Sequence, residues 1–224
     1  CAFTPKELIT AARAIPVSLC GSSEKPIADA EAHLPRNLCP LIKSSYGFAL
    51  TEKCPYTYFA DIIIGETTCD GKKKMYELLG EIKDTYVMQL PQGVDREYAP
   101  IMWERELHRL IKTLEEKFQV EITEEKLRAA AALRNKQRKI YNELFELGKM
   151  DPPPIKGYNV YKVIEGSGFS FSVEETCLRL RELIDSTKEA YAAGNRPVAA
   201  GAKRILVTGC PIGGVLDKVV NTIE

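Results

Sequence analysis

The segment Tyr58-Phe-Ala-Asp-Ile-Ile-Ile-Gly-Glu-Thr-Thr-Cys-Asp-Gly-Lys72 decides the fold. Its centre, Ile62-Ile63-Ile64, is a short β-branched run typical of a strand covered on both faces. Glu66 to Gly71 turns the chain, and Lys72 to Ile82 continues as a helix. Tyr86 to Leu90 is the next strand. Strand, turn, helix and strand in that order indicate a parallel α/β sheet. In such sheets ligands bind beyond the carboxyl ends of the strands. Cys69 falls in that strand-to-helix turn.

Upstream, Thr4-Pro5 opens a helix to about Ala14, with Thr4 as its cap and Pro5 in its first turn. Ile15 to Leu19 reads as a buried strand ending at Cys20, and Gly21 to Pro35 as a polar loop. Cys39-Pro40 then opens a helix to about Glu52. Downstream, Trp103, Leu107, Leu110, Ile111, Leu114 and Phe118 recur at helical spacing within Pro100 to Phe118. Thr123 caps a second long helix through Leu147, and Asp151-Pro-Pro-Pro154 stops it. Ser172 and Glu175 form a capping box for a helix to about Ala193. Arg204 to Thr208 is a strand, after which Gly209-Cys-Pro-Ile-Gly-Gly214 turns into a helix.

The expected fold is a parallel-sheet, Rossmann-like α/β domain with a helical insertion, followed by the start of a second similar domain. Residues 1–95 form the first domain and 96–200 a helical segment packed on or completing it. Residues 201–224 supply the first strand and helix of a truncated second domain.

Lys plus Arg and Asp plus Glu both number 31, so no broad basic field favours a nucleic-acid partner. No apolar run approaches the roughly 18 residues that span a bilayer. No charged-then-apolar leader is seen, so a cytoplasmic protein is expected.

Seven cysteines stand at positions 1, 20, 39, 54, 69, 177 and 210. An odd count in a chain of 224 residues argues against a disulfide framework and for metal, redox chemistry or burial. Topology puts Cys1, Cys20, Cys39 and Cys69 on one rim, and Cys210 on the matching rim of the second domain. A helix from Pro40 to Glu52 carries Cys54 roughly 18 Å along its axis from Cys39, unless it ends early at Gly47. Cys177, inside a helix, reads as core. Helix N-termini suit thiolate ligands, because backbone N–H groups and the positive dipole end stabilise the anion. Widely spaced cysteines fit an iron–sulfur cluster held by several loops. Structural zinc, the competing reading, favours close pairs that this sequence lacks.

Glu66, Thr67 and Thr68 precede Cys69 on the rim, where they either reach a substrate or a cluster sulfur or shape the turn. His33 lies in the loop between Cys20 and Cys39, where a site role is open, whereas His108 reads as structural. Gly65-Glu-Thr-Thr-Cys-Asp-Gly71-Lys72 approaches a P-loop. It has one residue too many between its glycines, and Lys73 where a magnesium-binding hydroxyl is needed. Nucleotide hydrolysis is therefore not expected here.

The segments Asn37-Leu-Cys39-Pro-Leu-Ile-Lys-Ser-Ser-Tyr-Gly47 and Gly65-Glu-Thr-Thr-Cys69-Asp-Gly-Lys-Lys-Lys-Met-Tyr-Glu-Leu78 resemble the 2-hydroxyacyl-CoA dehydratase superfamily. Cys1-Ala-Phe-Thr-Pro-Lys-Glu-Leu8 and Thr208-Gly-Cys-Pro211 are similar to its double-cubane-cluster branch of anaerobic reductases. The resemblance implies two α/β domains with a cluster between them, and a homodimer. Cys39 and Cys69 match two cluster ligands of the first domain. A double-cubane [8Fe–9S] cluster needs further thiolates, for which Cys1 and Cys20 are the rim candidates and Cys54 and Cys210 their rivals. The resemblance also implies a separate ATP-hydrolysing iron–sulfur activator as electron donor, and reduction of a small molecule. The alternative it implies is a [4Fe–4S] dehydratase subunit that removes water from a 2-hydroxyacyl-CoA. A structural α/β domain with buried thiols or zinc is the non-enzyme alternative.

Overall fold

Pro5, not Thr4, stands at the cap of the first helix, α1 (Lys6–Ala11). The Thr4 hydroxyl is turned elsewhere, 3.5 Å from the Glu66 carboxylate. The computed structural model describes residues 3–19, 21, 23–207 and 216–224. The chain divides into two units, Cys1–Glu124 and Glu125–Glu224.

In the first unit α1 is followed by α2 (Ile27–Ala30), α3 (Pro40–Leu50), α4 (Pro55–Phe59), β1 (Ile63–Glu66), α5 (Asp70–Leu79), β2 (Thr85–Met88) and α6 (Ala99–Phe118). Proline occupies the first turn of α3, α4 and α6, where its missing N–H costs nothing and its fixed φ is already helical. β1 and β2 pair in parallel, Ile63 opposite Thr85 and Glu66 opposite Met88, with α5 as the crossover.

The expected strand at Ile15 to Leu19 is absent. β1 and β2 pair only with each other among the described residues, and Ile15 is exposed. Apolar character permits a strand, but a ladder needs a neighbour whose backbone groups are available. The expected strand from Tyr58 starts late, because Pro55 nucleates α4 over its first residues. The polar loop before Pro35 contains the short helix α2.

The core of this unit joins Ala30 and Leu34 to Ile42, Tyr46 and Ala49 of α3, Ile63 of β1, and Met75, Tyr76 and Leu79 of α5. Full burial of a side chain such as Leu79 contributes about 1.5 to 3 kcal/mol. Beyond β2, the buried Glu106 of α6 accepts the Gln89 N–H at 2.8 Å and pairs with Arg109 at 2.8 Å. That contact fixes the chain as it leaves the carboxyl end of the sheet.

The second unit contains α7 (Glu124–Leu147) from Glu125 onward, α8 (Gly157–Ser167), α9 (Val173–Ala192) and α10 (Leu216–Ile223). Ile140, Leu144 and Leu147 of α7 pack against Cys177, Leu180 and Ile184 of α9. Val160 and Val163 of α8 close over this core. The helix α8 is absent from the sequence reading, because the preceding proline run masks its start. The expected strand at Arg204 to Thr208 does not appear over residues 204–207, where Leu206 is 86% exposed. Arg204 instead ties this extended segment to the carbonyls of Gly148 and Met150. Thr208 and the turn through Gly214 lie outside the described residues.

The fold is therefore mixed α/β, mostly helical, with a small parallel sheet in the first unit. Among the described residues no helix is long and apolar enough to cross a membrane.

Candidate functional site

Cys39 and Cys69 occupy equivalent places. Cys39 is the N-cap of α3 and Cys69 the N-cap of α5, and both are exposed. The first turns of the two helices touch. A Cβ built on Gly71 would lie 2.8 Å from Ile42 Cδ1 and 2.9 Å from Leu38 Cδ1. Leu38 and Ile42 flank Cys39, and Gly71 is two residues from Cys69. Glycine at 71 lets these turns approach without displacing the tips of the Ile42 and Leu38 side chains. The packing of α3 on α5 sets the starts of both helices, which carry Cys39 and Cys69, against each other at one edge. Because Cys69 follows β1, that edge is the carboxyl edge of the sheet.

Each cysteine is followed by a lysine that anchors the chain before it. Lys43 is buried, and its ammonium bonds Glu31 Oε1 at 2.7 Å and the Arg36 carbonyl at 2.7 Å. This pair fixes the loop that leads into Cys39. The Lys72 ammonium bonds Thr68 Oγ1 at 2.9 Å and Glu66 Oε1 at 3.4 Å, while its backbone N–H donates to Cys69 Sγ at 3.4 Å. Neither lysine stands out in the sequence, although the spacing of each from a cysteine at a helix start is a signal that could have found them.

Glu66, Thr67 and Thr68 play unequal parts. Glu66 is fully buried, and its Oε2 also accepts the Phe3 N–H at 2.9 Å. Thr67 is buried and braces the sheet, its N–H donating to the Met88 carbonyl at 3.1 Å and its hydroxyl accepting the Leu90 N–H at 2.9 Å. Thr68 is exposed beside Cys69. Beneath the turn the Tyr76 ring packs on Gly65, where a Cβ would stand 2.5 Å from the ring. Burial pushes the Tyr76 phenol up to about 12, helped by the negative charge of Glu66 and opposed by a hydrogen bond with the Glu66 backbone.

Cys54 is buried at the start of α4, and α3 runs on past Gly47 to Leu50, so the early end that would bring Cys54 to the rim does not occur. Cys177 is core, as expected, and burial raises its thiol pKa. His33 bonds the Tyr46 hydroxyl through Nδ1. Cys1, Cys20 and Cys210 lie outside the described residues. Among the described residues no group of three or more His, Cys, Asp or Glu side chains is gathered to hold a metal ion. What they supply is a pair of exposed thiols at helix N-termini, a donor chemistry that suits thiolate ligation of a cluster.

A family model described as "2-hydroxyglutaryl-CoA dehydratase, D-component" matches residues 1–224. The chain belongs to this family. It is 48% identical over 224 residues to YjiM of Escherichia coli (strain K12), which carries the name of a dehydratase subunit; the match covers 100% of this chain and 58% of that protein. It is 25% identical over 213 residues to the (R)-phenyllactyl-CoA dehydratase beta subunit of Clostridium sporogenes, covering 92% of this chain and 54% of the relative. It is 23% identical over 194 residues to a subunit of the benzoyl-CoA reductase of Thauera aromatica, covering 85% and 49%. The chain spans about half the length of these relatives. Family membership places it in the 2-hydroxyacyl-CoA dehydratase superfamily, and the relatives it matches are named as subunits of dehydratases and of a reductase.

Proposed function

We propose that this chain is the iron–sulfur part of an ATP-dependent, low-potential reductase that reduces small molecules at a double-cubane [8Fe–9S] cluster. The observation that carries this reading is the pairing of Cys39 and Cys69, two exposed thiols on touching helix N-termini at the carboxyl edge of a parallel sheet. In the proposal both are cluster ligands, with Cys1 and Cys20 as further ligands toward a second cubane. Bound there, the cluster supplies a low-potential electron to the substrate. The chain's own contribution is to present thiolates, to hold their turns through Lys43 and Lys72, and to direct backbone N–H groups such as that of Lys72 at ligand sulfur. Of the three residues before Cys69, exposed Thr68 is the one open to a ligand, while Glu66 and Thr67 support the turn.

The proposed frame is a Rossmann-like domain over 1–95, a helical segment over 96–200 and the start of a second α/β domain over 201–224. The proposed partners are a separate ATP-hydrolysing iron–sulfur activator and a second copy of the chain, in the cytoplasm.

A second reading is favoured by the dehydratase names among the relatives: a [4Fe–4S] subunit that removes water from a 2-hydroxyacyl-CoA. Iron counted per full-length chain after anaerobic purification separates the two. About eight irons support the reductase reading. Four irons, together with turnover of a 2-hydroxyacyl-CoA thioester by the activated protein, support the second. A colourless, iron-free protein from an anaerobic preparation overturns both in favour of a structural or zinc-binding domain.

A further inference from the structure

Glu66 ends an apolar strand, yet it is a carboxylate with no exposed surface. A buried carboxylate is stable only where donors surround it. Donors reach it from the distant segment at residues 3–4 and from the first turn of α5. The Phe3 N–H reaches Oε2 at 2.9 Å, the Thr4 hydroxyl lies 3.5 Å from the same oxygen, and the Lys72 ammonium lies 3.4 Å from Oε1. Lys72 in turn holds the Thr68 hydroxyl at 2.9 Å, and its N–H points at Cys69 Sγ at 3.4 Å. The chain around residues 3–4, the end of β1 and the first turn of α5 therefore meet at one carboxylate. Being fully buried, that carboxylate acts by placing the groups around it.

We propose that Glu66 is a positioning residue for the Cys69 turn, binding the segment at Phe3–Thr4 and the Lys72 ammonium to it as one unit. This rests on the reading of Cys69 as a cluster ligand. The charge of the pair has a second consequence. Glu66 balances Lys72, so the turn presents no net charge from these two side chains to a cluster at Cys69. Cluster potential responds to nearby net charge, and the response is strong where water is excluded.

The test uses full-length protein purified anaerobically as wild type, Glu66→Ala, Glu66→Gln, Lys72→Met and the double variant Glu66→Gln/Lys72→Met. In Glu66→Ala, amide hydrogen exchange at Phe3 and Lys72 accelerates, and resistance of the iron to a chelator falls about 10-fold or more. Glu66→Gln keeps an acceptor for Phe3 and retains more iron. Glu66→Gln leaves Lys72 unbalanced and raises the midpoint potential of the cluster. Lys72→Met leaves Glu66 unbalanced and lowers it, and the double variant returns toward wild type. A merely structural role would not produce opposite shifts that cancel. Wild-type exchange and iron retention in Glu66→Ala overturn the proposal, as do potential shifts of one sign in both single variants. If Glu66→Ala does not fold, the Gln and Met variants still decide. A wild-type protein without iron overturns the cluster reading and this inference with it; a wild-type protein with iron and unresponsive variants overturns the inference alone.

Discussion

The backbone N–H of Lys72 donates to Cys69 Sγ at 3.4 Å, while the side chain of the same lysine reaches back to buried Glu66. Cys69 thus caps α5 by accepting from Lys72, and the side chain of the same lysine anchors its turn. A cysteine held this way presents its sulfur at a fixed place beside the helix N-terminus, which is what ligation by a preformed rim demands.

Exposure separates the thiols. Cys39 and Cys69 are exposed, whereas Cys54 and Cys177 are buried, and burial further raises the Cys177 thiol pKa. In iron-free protein under reducing, native conditions, a short pulse of iodoacetamide labels Cys39 and Cys69 well before Cys54 and Cys177. Peptide mass spectrometry reads the order of labelling. Loading with iron and sulfide then protects Cys39 and Cys69, and unchanged labelling of either removes it from the ligand set.

Two glycines at the site differ in what surrounds them. A methyl on Gly65 meets the buried Tyr76 ring at 2.5 to 2.7 Å, and a planar ring in a packed core cannot yield locally. Gly65→Ala is expected to destabilise by about 1 to 3 kcal/mol, seen as a lower midpoint in urea unfolding. A methyl on Gly71 meets only the side-chain tips of Ile42 and Leu38, which can turn aside. Gly71→Ala therefore costs less stability than Gly65→Ala. Equal stability losses at the two positions would contradict this account.

Tyr76 gives the first unit a stability that depends on alkaline pH. Its phenol is raised to about 12, burial being the main cause, against about 10 in an unfolded chain. The folded state keeps the proton where the unfolded state loses it, so stability falls with rising pH. This contribution, on the order of 2 kcal/mol, is complete below about pH 10 and lost as pH rises through about 12. Tyr76→Phe flattens that slope in urea unfolding measured between pH 9 and 11. An unchanged slope would show that other groups set it.

Ser172 caps α9, its hydroxyl accepting the Glu175 N–H at 3.1 Å. The reciprocal half of the expected capping box is not made with Glu175, whose carboxylate pairs with Arg179 instead. Ser172→Ala is expected to cost about 1 kcal/mol, and Ser172→Gly only a few tenths. Thermal unfolding of the two variants checks the difference. An unchanged midpoint in Ser172→Ala would mean that the hydroxyl bond contributes nothing.

The sequence by itself determined the parallel strand–helix–strand unit, the long helices and the two cysteines at helix starts. Those features rest on local physics: β-branched runs, 3.6-residue periodicity, prolines in first turns and a serine cap, all written within a few neighbouring residues. The short runs at Ile15 and Arg204 were misleading for the same reason. Apolar character is local, but a strand exists only where another offers its backbone, and that is settled by the whole fold. Only the tertiary structure decided that Gly71 brings the turns of Cys39 and Cys69 together. It also decided that Cys54 is buried, and that Glu66 faces inward to Phe3, Thr4 and Lys72. A buried carboxylate depends on donors more than 60 residues away in the chain, and no local pattern in the sequence records such a distance.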